Sequence, residues 1–199
     1  TGGMGAYSPA PIVNKTLEKK IINRIVKPTL KALKAKRRPY TGFLYVGLMI
    51  VNNEPFLIEY NVRMGDPECQ VIIPRLKTDL FKIINYSLKN KLNKIKLSWE
   101  SNKCMTIVLC SKGYPGKYKK GKIIRIKKIK DKKDLFIIHA GTKENNGNIF
   151  SAGGRVLNIV SKGKNFNQMR NKIIKLIKKI NWKSGFFRKD IGWRVIPKL

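Results

Sequence analysis

"LIEYNVRMGDPE", residues 57–68, decides how this chain is read. In an extended segment alternate side chains share a face. That alternation sends Leu57, Glu59, Asn61 and Arg63 one way and Ile58, Tyr60 and Val62 the other. The second set is apolar and suits a core-facing side. The first puts a carboxylate, a carboxamide and a guanidinium in a row, with neighbours roughly 7 Å apart. Glu and Asn oxygens are hard ligands of the kind Mg²⁺ takes, leaving positions for phosphate oxygens and water. An arginine next in line suits a phosphate gripped by a two-pronged fork. The spacing fits a nucleotide-phosphate site with a divalent metal, and it equally fits the wet outer face of an amphipathic hairpin strand. Two features favour the site. The residues before Glu59 are apolar enough for a buried strand. After it, "MGDPE" (64–68) adds Asp66 and Glu68 in a turn past the strand end, where ligand sites tend to lie.

Working outward, "TGFLYVGLMIV" (41–51) is rich in β-branched and aromatic residues, and "NNEP" (52–55) is a turn. With "FLIEYNV" (56–62) they predict a β-hairpin. Upstream, Asn14 is an N-cap, and Leu17, Ile21, Ile25, Val26, Leu30 and Leu33 recur at helical spacing. Pro28 falls inside that pattern and predicts a kink, or a split near Lys27. Downstream, "TDLFKIINYSLKNKL" (78–92) reads as an amphipathic helix capped by Thr78, with a stripe of Leu80, Ile83, Ile84 and Leu88.

After about residue 93 short strand-like runs alternate with glycine turns: "CMTIVLC" (104–110), "KIIRI" (122–126), "LFIIHAG" (135–141), "NIFSAG" (148–153) and "RVLNIVS" (155–161). This is the rhythm of a small antiparallel sheet or barrel. A last helix over 165–180 places Phe166, Arg170, Ile173, Ile177 and Ile180 near one face. The expected fold class is α+β, divided near residue 100 into residues 1–100 and 101–199. "KKIKDKK" (127–133) reads as a loop.

The 199 residues carry 44 Lys and Arg against 11 Asp and Glu, a formal charge of +33. Such a balance points to nucleic acid or an anionic membrane. Yet 34 of those bases are Lys and 10 are Arg, whereas specific phosphate and base recognition leans on Arg. The chain also holds 26 Ile and 17 Asn against 6 Ala. Lys, Ile and Asn all have A- and T-rich codons, so a biased genome produces this composition in almost any enzyme. No specific nucleic-acid partner is expected. No window approaches the ~18 apolar residues of a membrane span. The three cysteines, Cys69, Cys104 and Cys110, form no CxxC pair, and a reducing cytoplasm is the expected location.

The stretches "TGGMGAYSPAP" (1–11), "PYTGFLYVGLM" (39–49), "IEYNVRMGDPECQ" (58–70), "HAGT" (139–142), "GGRVL" (153–157) and "RKDIGWRVI" (188–196) resemble the phosphoribosylamine–glycine ligases, or glycinamide ribonucleotide synthetases, of purine biosynthesis. These belong to the ATP-grasp superfamily. The blocks run in order along nearly the whole chain. The resemblance implies ATP-dependent joining of glycine to phosphoribosylamine through a glycyl phosphate, with Mg²⁺ or Mn²⁺ as the metal. It implies Glu59 and Asn61 as metal ligands bridging ATP phosphates, and Arg63 as the residue steadying the transferred phosphoryl group. Asp66 and Glu68 would orient substrate. Gly2, Gly3 and Gly5 would let backbone N–H groups approach an anionic substrate, as a nest does. Arg155 would reach a phosphate from "GGRVL", with a structural ion pair as its other role.

Many ATP-grasp enzymes carry a further metal-binding carboxylate on the preceding strand, and "TGFLYVGLMIV" has no acid. Family members also carry upstream an N-terminal domain and the first part of the ATP-grasp module. The chain is therefore expected to be the C-terminal portion of a ligase, inactive or nearly so alone, with the missing N-terminal part as its partner. Two rivals stand beside this: another carboxylate–amine ligase of the superfamily, and a non-enzymatic basic module that binds nucleic acid. His139, the single histidine, reads as a hydrogen-bonded structural residue, Trp182 and Trp193 as anchors of the last helix and tail, and "GYPGKYKKG" (113–121) as a glycine-hinged turn.

Overall fold

The computed structural model describes residues 2–126 and 133–196, so nearly all of the lysine-rich stretch at 127–133 lies outside the described residues. In chain order the first elements are β1 (Gly5–Ser8), α1 (Lys15–Ile21), α2 (Lys27–Ala35), β2 (Tyr45–Val51), β3 (Glu54–Asn61), α3 (Cys69–Ile72), α4 (Leu80–Leu88) and β4 (Lys103–Ser111). Then come β5 (Ile123–Ile126), β6 (Leu135–His139), β7 (Thr142–Asn145), β8 (Asn148–Ser151), β9 (Arg155–Gly163), α5 (Phe166–Ile177), β10 (Ile180–Asn181) and β11 (Gly185–Phe186). They form two compact units that interleave along the chain. One gathers Ala10–Gly65 and Leu76–Trp99; the other gathers Thr1–Pro9, Asp66–Arg75 and Glu100–Leu199.

The first unit is a helical run and a hairpin. Asn14 caps α1, its Oδ1 accepting from the Leu17 amide at 2.8 Å. The run divides at Lys27, one of the two outcomes expected of Pro28. Residues Ile22–Val26 form a π-helical turn in which the Lys27 amide reaches back to the Ile22 carbonyl. Pro28 then falls in the first turn of α2, where a missing N–H costs little. Strands β2 and β3 pair antiparallel across Asn52 and Asn53, whose φ values of 50° and 61° suit a two-residue hairpin turn. Lys20 and Arg24 both reach Glu54, Arg24 at 2.7 Å, tying the helical run to the hairpin. Helix α4 is capped by Asp79 rather than Thr78: Asp79 Oδ1 accepts from the Lys82 amide at 2.7 Å, while the Thr78 hydroxyl accepts from the Ser98 amide.

The second unit is built on an antiparallel five-stranded sheet of order β1-β4-β9-β6, with β11 also pairing β4. Residues 5–8 and 185–186 therefore share one edge of β4 end to end. Part of the glycine-rich opening stretch is thus a strand. A smaller sheet runs β10-β5-β8-β7. Met105, Ile107, Leu157 and Ile159 pack under α5, whose buried face is Phe166, Met169, Ile173, Leu176 and Ile177. Met169 and Leu176 take the places expected of Arg170 and Ile180. Arg170 sits at the edge, its guanidinium turned to the Lys189 carbonyl, and Ile180 has left the helix for β10. The opposite face of the sheet buries Val71 of α3 with Cys104 and Val160. Trp182 is buried as expected. Trp193, expected to anchor the tail, is 58% exposed, with the Arg194 guanidinium over its ring.

Candidate functional site

The polar row on β3 is shorter than strict alternation implies. Gly47 stands opposite Glu59, but Leu48 stands opposite Leu57, so Ile58 is the extra residue of a β-bulge. The bulge reverses the alternation. Glu59 and Asn61 share a face with Gly47 and Tyr45, and Leu57 belongs to the other face. Asn61 Nδ2 donates to Glu59 Oε1 at 3.1 Å, which puts both side chains side by side at an open surface. Gly47 makes room for this: a Cβ there would lie 2.9 Å from Glu59 Cγ.

Arg63 is not the third member of the row. β3 ends at Asn61, residues 62–63 bend, and the exposed Arg63 guanidinium donates to the Met64 carbonyl at 2.9 Å. The expected core face is open too. Ile58 is 64% exposed and Val62 76%, and Phe56 and Leu57 before the row are exposed as well. A two-stranded ribbon covers little of its own surface; Tyr60 is exposed as well, its hydroxyl hydrogen-bonded to Thr29 of α2.

A carboxylate and a carboxamide on one open face fit a divalent cation that draws its remaining ligands from phosphate and water. Among the described residues no group of three or more His, Cys, Asp or Glu side chains gathers. On β3 the Glu54 carboxylate is engaged by Lys20 and Arg24, while Glu59 and Asn61 stand side by side as oxygen donors.

The second unit holds another set of predicted residues around Arg155. Its position follows from two glycine segments packed backbone to backbone. The Gly141 amide donates to the Arg155 carbonyl at 3.0 Å, and the Ala152 amide donates to the Gly141 carbonyl at 2.7 Å. A Cβ on Gly141 would lie 2.6 Å from the Arg155 oxygen and 2.8 Å from Gly153 Cα, so "HAGT" and "GGRVL" owe their glycines to this close approach. Arg155 then reaches Asp66. Its Nη2 meets Asp66 Oδ2 at 2.8 Å, and its Nη1 donates to the Asp66 and Gly3 carbonyls. Gln70, one turn on, donates to the other carboxylate oxygen at 3.0 Å.

The three opening glycines therefore differ. Gly3 lies at φ +78°, and a Cβ on it would meet Arg155 Nη1 at 2.4 Å. Gly5 is packed in β1, where a Cβ would meet Ile191 at 2.6 Å. Gly2 faces open space. Glu68 stands at the N-terminus of α3, half-buried. His139 is exposed and hydrogen-bonds Thr142 at 3.1 Å, matching the structural role expected of it. Gln70 and Gly47 were not singled out from sequence. For Gln70 the signal was present, since Asp66 and Gln70 are four residues apart across the start of a helix.

Comparison with known proteins agrees with these blocks. The family model "Phosphoribosylglycinamide synthetase, ATP-grasp (A) domain" matches residues 1–69, and "Phosphoribosylglycinamide synthetase, C domain" matches residues 104–194. The chloroplastic phosphoribosylamine–glycine ligase of Arabidopsis thaliana is 42% identical over 98% of this chain and 38% of its own length. The phosphoribosylamine–glycine ligase of Fusobacterium nucleatum is 42% identical over 99% of this chain and 47% of its own length. The crystal structure of phosphoribosylamine–glycine ligase from Thermotoga maritima superposes with a TM-score of 0.82 at 30% identity, covering 96% of this chain and 46% of that one. The chain thus spans less than half the length of these relatives. The two matched domains take in most of the chain, one containing the opening glycines, Glu59, Asn61 and Asp66 and the other the "HAGT" and "GGRVL" segments with Arg155: the chain belongs to the phosphoribosylglycinamide synthetase family.

Proposed function

We propose that these residues form part of an ATP-dependent ligase that joins glycine to 5-phosphoribosylamine, giving glycinamide ribonucleotide, ADP and phosphate. What supports this most is the side-by-side placement of Glu59 and Asn61 on β3, within the span matched by the ATP-grasp domain. A Mg²⁺ or Mn²⁺ ion held by these two oxygen donors would neutralise the phosphate charge of bound ATP. A glycine carboxylate oxygen attacks the γ-phosphorus and ADP leaves. The amine of phosphoribosylamine then attacks the acyl carbon and phosphate leaves. Neither step needs a covalent protein nucleophile; both need charge neutralisation and positioning.

Arg63 spends one N–H on the Met64 carbonyl and keeps the rest of its fork for the transferred phosphoryl group. Arg155, fixed by Asp66, contributes positive charge for an anionic substrate group, and the backbone of Gly3, with Gly2 before it, lies against its guanidinium. Gly5 secures that loop as part of β1, and Glu68 orients substrate from the start of α3. The three cysteines are free thiols, which suits a reducing compartment such as the cytoplasm. No helix among the described residues is long and apolar enough to cross a membrane.

Glycine-dependent ADP release with phosphoribosylamine generated in situ tests the assignment. Joined to the remaining part of a complete relative, these residues should support it. The isolated 199-residue chain should release little or none. Robust release by the isolated chain, or release indifferent to glycine in the joined protein, would overturn the assignment.

A further inference from the structure

A concavity of about 390 Å³ in the second unit is lined by Lys112, Lys117, Tyr118, Lys119, Lys122 and Ser184. It belongs to "GYPGKYKKG", a stretch that neither the metal strand nor the arginine cluster uses. Four lysines line it, and among the described residues no acidic side chain does. None of the four side-chain ammonium groups has a hydrogen bond or ion pair to another described residue. Charges of one sign gathered in a hollow repel one another and focus a positive potential there, which a multivalent anion relieves.

The walls are fixed by backbone rather than left to the lysines. The Lys112 amide donates to the Ser184 carbonyl at 2.8 Å. The Gly121 amide donates to the Ser151 carbonyl at 2.6 Å, and the Lys122 amide to the Ser151 hydroxyl at 3.1 Å. Between them the loop doubles back so tightly at Gly113, φ +103°, that a Cβ there would lie 2.1 Å from the Lys117 oxygen. Tyr118 is already engaged. Its ring packs over Gly154 and against Tyr114, with 6.3 Å between ring centroids. That leaves lysine charge, not base stacking, as the recognition element. Without an arginine fork there is no bidentate geometry to impose either.

From this we infer that the hollow is an anion site, separate from the metal strand and from Arg155, that takes a short oligophosphate chain, free or carried on a nucleotide. Isothermal titration of the 199-residue chain with inorganic triphosphate tests it, with ADP as the second titrant. The expected result is one saturable triphosphate site per chain. Lys117→Ala/Lys119→Ala should weaken it at least about tenfold, by removing two of four phosphate contacts. Lys31→Ala/Lys34→Ala, equally exposed on α2, should leave it unchanged. Circular dichroism and the thermal midpoint keep folding separate from binding, and Lys122→Ala supplies an independent variant. ADP binding that falls with the same lysines identifies a nucleotide as the carrier; triphosphate binding alone identifies a free oligophosphate. Unsaturable binding, or equal loss in the α2 variant and the hollow variants, would mean diffuse attraction by a +33 chain and overturn the site. None of these readouts depends on ligase turnover.

Discussion

Arg155 holds Asp66 at both ends: its guanidinium meets the carboxylate at 2.8 Å and also hydrogen-bonds the main-chain carbonyl of the same residue. The two lie far apart in sequence, so within the second unit this contact ties the start of the Asp66–Arg75 segment to β9. Asp66→Ala should cost about 1–2 kcal/mol in urea unfolding, the size expected for a half-exposed charge-assisted pair. Gly3→Ala should cost a similar ~1–2 kcal/mol, because it places an alanine at left-handed φ and drives a methyl into Arg155. Both variants free the same guanidinium, so the double variant should cost clearly less than the sum. Simple additivity would show that Gly3 and Asp66 do not act through Arg155.

Gly141→Ala should be strongly destabilising. The new Cβ would meet backbone atoms of Arg155 and Gly153, not the end of a movable side chain. Overpacking against main chain costs about 3 kcal/mol. A thermal midpoint within a degree of the parent would contradict the close packing of the two glycine segments.

Burial pushes the Cys104 and Cys110 thiols up to about 11 from an ordinary 9.0. Both are neutral in the fold and ionise more readily when unfolded. Their contribution to stability is complete below pH 9 and is lost as pH rises towards 11. Unfolding midpoints should therefore fall across that alkaline window, and less so in Cys104→Ala/Cys110→Ala relative to its own value at pH 8. A native-state thiol titration should modify Cys69 first, since it is only half-buried, with the other two reacting on unfolding. Prompt modification of all three at neutral pH would contradict the packing around β4.

Gly47→Ala tests the cross-strand space that Glu59 occupies. The added methyl would crowd Glu59 Cγ at 2.9 Å on an open surface, so stability should change by less than about 1 kcal/mol. In a joined, active ligase the KM for metal–ATP should rise severalfold with kcat less affected. An unchanged KM would detach Gly47 from the site.

The parts of this molecule that were legible in its sequence are those whose signal is local. The hairpin announced itself through the Asn52–Asn53 turn and the β-rich runs beside it. Helices α1 and α5 showed their apolar periodicity, and α1 its Asn14 cap. The second half showed its strands as runs between glycines. What escaped depends on distant contacts. The short strands β1, β10 and β11 exist because β4 and β5 offer them edges, and no local pattern marks that. The bulge at Ile58 is set by pairing with β2, so strict alternation carried Leu57 to the wrong face and extended the row to Arg63. The π-turn before Pro28 shows where the helical run changes its hydrogen-bond pattern so that the proline falls in the first turn of α2. At the site, Glu59, Asn61 and Asp66 were legible from spacing and resemblance. Gly47 was not, because it acts through the space it leaves, whereas Gln70 had a local signal in its four-residue spacing from Asp66.

The most direct measurement is glycine-dependent ADP release by a protein of the relatives' length containing these residues, compared with its Glu59→Ala variant. Glu59 is exposed and its removal should leave the fold intact by circular dichroism, while turnover falls by roughly a hundredfold or more, as expected when a charge-stabilising group is lost. Glycinamide ribonucleotide should form one for one with ADP in the parent. Near-parental turnover in a folded Glu59→Ala variant would contradict the claim that the Glu59–Asn61 pair holds the metal of an ATP-dependent ligase.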